Sequence, residues 1–345
     1  MSFDISKLLR ANIRNLKPYS SARDEFSGDA AVFLDANENP FNSPWNRYPD
    51  PQQRILKARV GEIKHVSPLK IFLGNGSDEP IDLLFRAFCE PAKDNVVSIN
   101  PTYGMYRVAA DTNNIAVSMV SLTADFELDA AAVLSAVTPE TKIIFLCSPN
   151  NPTGNALDNN GMLQILNHFK GLVVIDEAYI DFCPEKSLLP DLDKYPNLVI
   201  LQTFSKAWGM AGLRLGMAFA SEQIIEVLSR IKYPYNLSIL TQQKGLELLA
   251  TETLKTEWVA TILKEREKII ENLKTFPFVI RVYPTDANFV LVKMHDPRGI
   301  YNYLVDEKII VRDRSSIELC EGCLRISIGS PEENATLIEA FEQLI

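Results

Sequence analysis

Between residues 96 and 219 the chain alternates short apolar runs with stretches whose apolar residues recur at helical spacing. The runs 96–99, 143–147, 172–175, 198–201 and 215–219 are too short for helices and carry no polar alternation. They predict strands buried on both faces. Helical patterns fall between several of them, at 80–88, 129–137 and 161–169. That order predicts an α/β fold, a mostly parallel sheet wrapped by helices. A long amphipathic stretch, 257–276, sets Val259, Ile262, Leu263, Ile269, Ile270 and Leu273 on one side and predicts a helix leading out of the large unit. Beyond Pro277 the runs change character. Strands are expected at 279–283, 289–293, 309–312 and 324–328, with helices at 299–306 and 331–344, which makes a smaller α+β unit. Segment 37–51, rich in Pro and Asn, reads as an irregular connection.

Composition narrows the class. At 345 residues and 46% hydrophobic, the chain buries a large core and exceeds the usual single-domain size. A net charge of −9 with no Lys/Arg-rich block argues against a nucleic-acid partner. Residues 1–20 mix charges with scattered leucines, unlike a signal peptide, and no apolar run reaches membrane-spanning length. The expectation is a soluble, cytoplasmic protein. Cys320 and Cys323 are spaced like half a zinc site, but no second pair follows, so the five cysteines are expected to be reduced and mostly buried. Three scattered histidines disfavour a Ser-His-Asp or Cys-His mechanism.

In open α/β folds the ligand sits beyond the carboxyl ends of the strands, so the residues after each run matter most. Leu73-Gly74-Asn75-Gly76-Ser77-Asp78-Glu79-Pro80 opens a helix with Ser77 as N-cap and Pro80 in its first turn. Free N–H groups there suit a phosphate, although Asp78 and Glu79 would repel one unless they point away. An ordinary capped helix reads equally well. Run 143–147 ends in Ser148-Pro149-Asn150-Asn151-Pro152, a rigid turn in which either X-Pro bond could be cis; it is a loop chosen for shape or a stiffly held amide. Run 172–175 ends in Asp176-Glu177-Ala178-Tyr179. Burying that first carboxylate needs a cation or a strong donor, which could be Arg214 or a protonated ring nitrogen. Run 198–201 leads through Thr203 and Ser205 to Lys206, with Arg214 following. Apolar crowding and a second cation lower a lysine pKa, as a Schiff-base lysine requires, while a surface lysine at a strand end fits the spacing as well. Thr203, Ser205 and Arg214 together suit a phosphate dianion.

A phosphate cradle, a lysine, a buried acid, an amide and a phenol together match pyridoxal 5′-phosphate (PLP). On these segments the chain resembles the fold-type I PLP-dependent aminotransferases. Pro18-Tyr19, Asn37-Glu38-Asn39-Pro40, Arg47-Tyr48-Pro49-Asp50, Val311-Arg312-Asp313 and Leu324-Arg325-Ile326-Ser327 extend the likeness toward their histidinol-phosphate branch. The resemblance implies an N-terminal arm (1–25), a large PLP-binding domain (45–256) and a small domain (26–44 and 257–345). It implies that Lys206 bonds the cofactor aldehyde and moves the substrate proton, that Asp176 pairs with the ring nitrogen, and that Asn151 and Tyr179 hydrogen-bond the ring oxygen. Tyr103 would lie against the ring; Gly76, Ser77, Asp78, Thr203, Ser205 and Arg214 would hold the phosphate. Tyr48 would reach that phosphate from the neighbouring subunit of a homodimer. Arg325, assisted by Arg312, Tyr19 and Asn37, would bind the substrate. The implied reaction converts L-histidinol phosphate and 2-oxoglutarate to imidazole acetol phosphate and L-glutamate. Aromatic amino-acid aminotransferases, O-phosphothreonine decarboxylases and, more distantly, non-catalytic PLP-fold regulators share much of the pattern.

Overall fold

Two separate sheets organise the computed structural model, which describes residues 4–17 and 32–345. The first contains β1 (Ile71–Asn75), β2 (Asn95–Asn100), β3 (Ala116–Ser121), β4 (Thr141–Cys147), β5 (Leu172–Asp176), β6 (Leu198–Thr203) and β7 (Leu215–Ala220) in the order β1-β7-β6-β5-β4-β2-β3. β3, β2, β4, β5 and β6 run parallel, and β7 runs against both β6 and β1. β1 therefore points the same way as the parallel strands, and β7 alone is reversed.

Strands β5, β6 and β7 are buried at every position. Because side chains alternate faces, Val173, Ile175, Leu198 and Ile200 fill one apolar cluster, while Leu172, Val174, Val199 and Leu201 fill the other. The continuous apolar runs of the sequence are the signature of this double burial. Two strands escape that signature. β1 has a short apolar run that breaks at Gly74, and the edge strand β3 exposes three of its six residues.

The second sheet holds β8 (Val279–Val282), β9 (Phe289–Met294), β10 (Arg312–Asp313) and β11 (Cys323–Ser327), ordered β10-β11-β9-β8 and antiparallel throughout. Val290, Val292, Leu324 and Ile326 pack one face against Leu337 and Phe341 of the closing helix Pro331–Glu342. Phe289 and Leu291 of the other face join the core of the first sheet. β10 is shorter than the apolar run 309–312 predicts. Ile309 donates its N–H to the Leu304 carbonyl at the end of helix Pro297–Asp306, and Ile310 is 74% exposed, so the strand itself starts only at Arg312.

The long helix spans Glu252–Leu273, starting five residues earlier than its apolar stripe and ending before Phe276, which precedes Pro277. At roughly 33 Å for its 22 residues it touches both cores, with Val259 and Leu263 on the first and Ile269 and Leu273 in the second. All five cysteines are buried and unbridged. Among the described residues, no helix is long and apolar enough to cross a membrane.

Candidate active site

Strand direction brings the chemistry to one edge of the first sheet. The carboxyl ends of β1, β2, β4, β5 and β6 deliver residues 76–78, 101–103, 148–151, 176–179 and 203–206 to that edge. Reversed β7 contributes the residue before its start, Arg214. Thirteen of the sequence-derived residues line a single cavity of about 690 Å³: Gly76, Ser77, Asp78, Tyr103, Asn151, Asp176, Tyr179, Thr203, Ser205, Lys206, Arg214, Arg312 and Arg325.

One end of this group gathers a glycine turn, a helix N-terminus, two hydroxyls and the Arg214 guanidinium. Gly76 donates its N–H to the Arg214 carbonyl at 2.7 Å, and both residues adopt left-handed backbone. A Cβ on Gly76 would meet the Arg214 guanidinium at 2.6 Å, and one on Gly216 would meet Gly76 and Ser77 backbone at 2.3 Å. Bare backbone at these two positions lets β7 press the loop against the helix Asp78–Phe88. Ser77 occupies the N-cap position, but its side chain caps nothing and stays available to the cavity. Thr203 and Ser205 hydroxyls are paired at 2.9 Å beside it. The two acids behave differently. Glu79 turns away and accepts from the Asn75 N–H at 2.6 Å. Asp78 stays inward, accepting from the Tyr103 hydroxyl at 3.1 Å and lying 3.5 Å from Arg214.

Asp176, 2% exposed, forms no pair with Arg214. Its carboxylate accepts from the Tyr106 hydroxyl at 2.7 Å and the Ala178 N–H at 3.1 Å. Burial pushes the carboxyl up to about 6, and those two donors restrain the rise. Tyr106 is a residue the sequence reading overlooked. It is wholly buried, stacks on Phe145 at 4.9 Å and meets Tyr103 edge-on at 5.6 Å. Its position one helical turn after Tyr103 is the signal that could have found it.

Lys206 opens into the cavity with its amine 5.4 Å from the Tyr179 ring centre. The residue is exposed to the open cavity, yet partial desolvation of its amine there lowers the pKa most, the Arg325 cation next, with Arg214 adding to the effect and Asp176 opposing it. The two asparagines of the turn separate in role. Asn150 is fully buried and ties loops together through Pro101, Thr102 and Thr153. Asn151 faces the cavity, donating to the Tyr179 hydroxyl at 3.5 Å and accepting from Arg325. Both X-Pro bonds of this turn are cis.

The second sheet supplies a group of cations. Alternation sends Leu324 and Ile326 into the small core and turns Arg325 toward the cavity, where its guanidinium lies 5.2 Å over the Phe289 ring. Arg312 is its direct cross-strand partner. Arg314, which the sequence reading did not single out, lines the same cavity.

Two expected residues stand apart from it. Asn37 is exposed in left-handed backbone, and Tyr48 is 50% exposed and stacked on Tyr235 at 4.4 Å. Tyr19 lies outside the described residues.

Residues 29–341 match the family described as Aminotransferase class I and II. The chain is 57% identical, over 99% of both sequences, to a histidinol-phosphate aminotransferase of Parabacteroides distasonis, and 53% identical, again over 99% of both, to one of Cytophaga hutchinsonii. Its fold is similar to the crystal structure of the histidinol-phosphate aminotransferase from Clostridium acetobutylicum. That similarity has a TM-score of 0.80 at 24% identity and covers 87% of this chain and 91% of that one. With a family match over nine-tenths of its length and relatives sharing more than half its residues end to end, the chain belongs to the class I and II aminotransferases.

Proposed function

We propose that the chain transfers the amino group of L-histidinol phosphate to 2-oxoglutarate with PLP as cofactor, giving imidazole acetol phosphate and L-glutamate. Relatives above 50% identity bear that enzyme's name. The structural observation that carries the reading is that the cavity has two cation groups. Arg214, 3.5 Å from Asp78 and flanked by Gly76, Ser77, Thr203 and Ser205, forms one, and Arg312 opposite Arg325 forms the other. A cofactor phosphate uses the first, which leaves a second anion site for substrate.

The residues fit the cofactor. Asp176 is a buried acid without an ion-pair partner among the described residues, and a protonated ring nitrogen is the cation it lacks. When bound, PLP supplies an aldehyde and an electron-withdrawing ring. Lys206, whose lowered pKa favours the free amine, would bond that aldehyde with loss of water and, once displaced by the substrate amine, would carry the proton to and from substrate Cα. Asp176 holds the proton at the ring nitrogen. Burial raises the Tyr179 phenol, so at neutral pH it keeps its proton and donates, with the Asn151 amide, to the ring oxygen. Tyr103 covers the ring face. Arg325 and Arg312 bind the anionic end of the donor; the parts of Tyr19, outside the described residues, and of Asn37, apart from the cavity, rest on the resemblance alone. Tyr48, outside its own cavity, reaches the phosphate of a second copy in a homodimer.

Tyr106→Phe tests the acid. The Tyr106 hydroxyl favours ionised Asp176, so its loss raises the carboxyl further. The acid limb of the kcat/KM profile is expected to move to higher pH, with activity recovering in alkaline buffer. A uniform loss at every pH removes Tyr106 from this role. The reaction itself is checked by scoring glutamate and carbon dioxide with L-histidinol phosphate, phenylalanine and O-phosphothreonine as donors. Histidinol phosphate is expected to give the highest kcat/KM and no carbon dioxide. Faster turnover of phenylalanine, or decarboxylation of O-phosphothreonine, overturns the assignment.

A further inference from the structure

We propose that Arg314 is a third substrate-binding cation that selects a phosphate monoester dianion over a carboxylate, an inference that rests on the phosphate-donor reading above. Arg312 and Arg325 are Cα partners across β10 and β11, and Arg314 follows on the same face, its N–H continuing the ladder to the Cys323 carbonyl at 2.9 Å. Three guanidiniums therefore leave one face of a two-strand ribbon and line the cavity together. Like charges opposite one another weaken a sheet, so such a face needs an anion to make it favourable.

The protein itself does not supply that anion among the described residues. Burial lowers the Arg314 pKa, and Arg325 and Arg312 lower it further, with no carboxylate among its strongest influences. Asp313, next in sequence, accepts from the Ser315 N–H instead. Among the described residues, the Nε groups of both Arg314 and Arg325 are buried without a partner. A carboxylate has two oxygens, which one or two guanidiniums satisfy. A phosphate monoester offers three oxygens and nearly two charges near pH 7, so it has an acceptor left for the third. The second substrate pair, glutamate and 2-oxoglutarate, brings carboxylates to the same cavity, and there Arg314 has less to bind.

The holoenzyme of the wild type, Arg314→Gln and Arg314→Lys is assayed with L-histidinol phosphate and with glutamate as donors. In Arg314→Gln the ratio of kcat/KM for histidinol phosphate to that for glutamate is expected to fall roughly 10-fold or more, mainly through KM, as loss of a charge-assisted contact implies. Arg314→Lys is expected to restore part of the ratio. The Tm of Arg314→Gln without substrate is expected to equal or exceed that of the wild type, because a crowded cation has gone. A ratio unchanged in Arg314→Gln, or an equal loss for both donors with a lower Tm, overturns the role of Arg314 alone. A wild-type enzyme that turns over glutamate but not histidinol phosphate overturns the proposed reaction and this inference together.

Discussion

Lys206→Ala is expected to lower turnover by on the order of 10⁴-fold, the upper range for a positioned general base, and to leave PLP held without a covalent bond. Borohydride reduction of the wild type should fix the cofactor's mass on the peptide containing residue 206, and reduction of the variant should fix none there. The physical basis is the amine's surroundings. Partial desolvation and Arg325 lower its pKa, with Arg214 contributing, so a larger fraction is unprotonated at neutral pH than for a solvated lysine. Lys206→Arg sharpens the test. Arginine keeps the positive charge but never deprotonates, so it cannot act as nucleophile or base. If the residue were only a surface cation, arginine would preserve activity; the expected result is that it fails as alanine does. Substantial turnover by either variant, or reductive attachment at another lysine, ends the assignment.

Much of this site is legible in the sequence because its residues follow buried strands. A run such as Leu198–Leu201 has to be apolar on both faces, so the first polar residues after it mark the sheet edge where ligands bind. Thr203, Ser205, Asp176 and Asn151 all stand at or just after such strand ends, and all line the cavity. The fold was legible for the same reason, except where an element lacked a long apolar run, as in β1 and the exposed edge strand β3. What the sequence could not provide was direction. Asp78 and Glu79 are adjacent acids, yet one faces the cavity and the other folds back onto Asn75. Tyr106 and Phe145 look alike as core aromatics, and only the hydroxyl's position against Asp176 separates them. Arg314 sits in a polar loop segment, and its meaning depends on a cross-strand register that local pattern does not encode.

Asp176→Asn is expected to lower kcat on the order of 10³-fold while making the cofactor-free protein no less stable at pH 8. The two effects share one cause. The carboxyl is buried, and its pKa stands at about 6 against 3.8 for an ordinary aspartate. A raised carboxyl favours the folded state below pH 3.8, and that contribution is lost as pH rises through 6, because ionising a buried acid costs free energy. Asparagine keeps the shape without the charge, and the Tyr106 hydroxyl can accept from its amide as readily as it donates to the carboxylate. The pH dependence of unfolding between 4 and 6 should therefore flatten in the variant, apart from the similar contribution of Glu177, whose carboxyl burial pushes up to about 7. Catalysis moves the opposite way. On the proposed role, nothing would then hold the proton at the ring nitrogen, and removal of a preorganised group of this kind typically costs about 10²–10³-fold in kcat. Denaturant titrations of the cofactor-free proteins at pH 5 and 8, beside kcat of the reconstituted enzymes, measure both sides. A variant with wild-type kcat refutes the role of the acid, and one that is markedly less stable at pH 8 shows that Asp176 serves the fold rather than the chemistry.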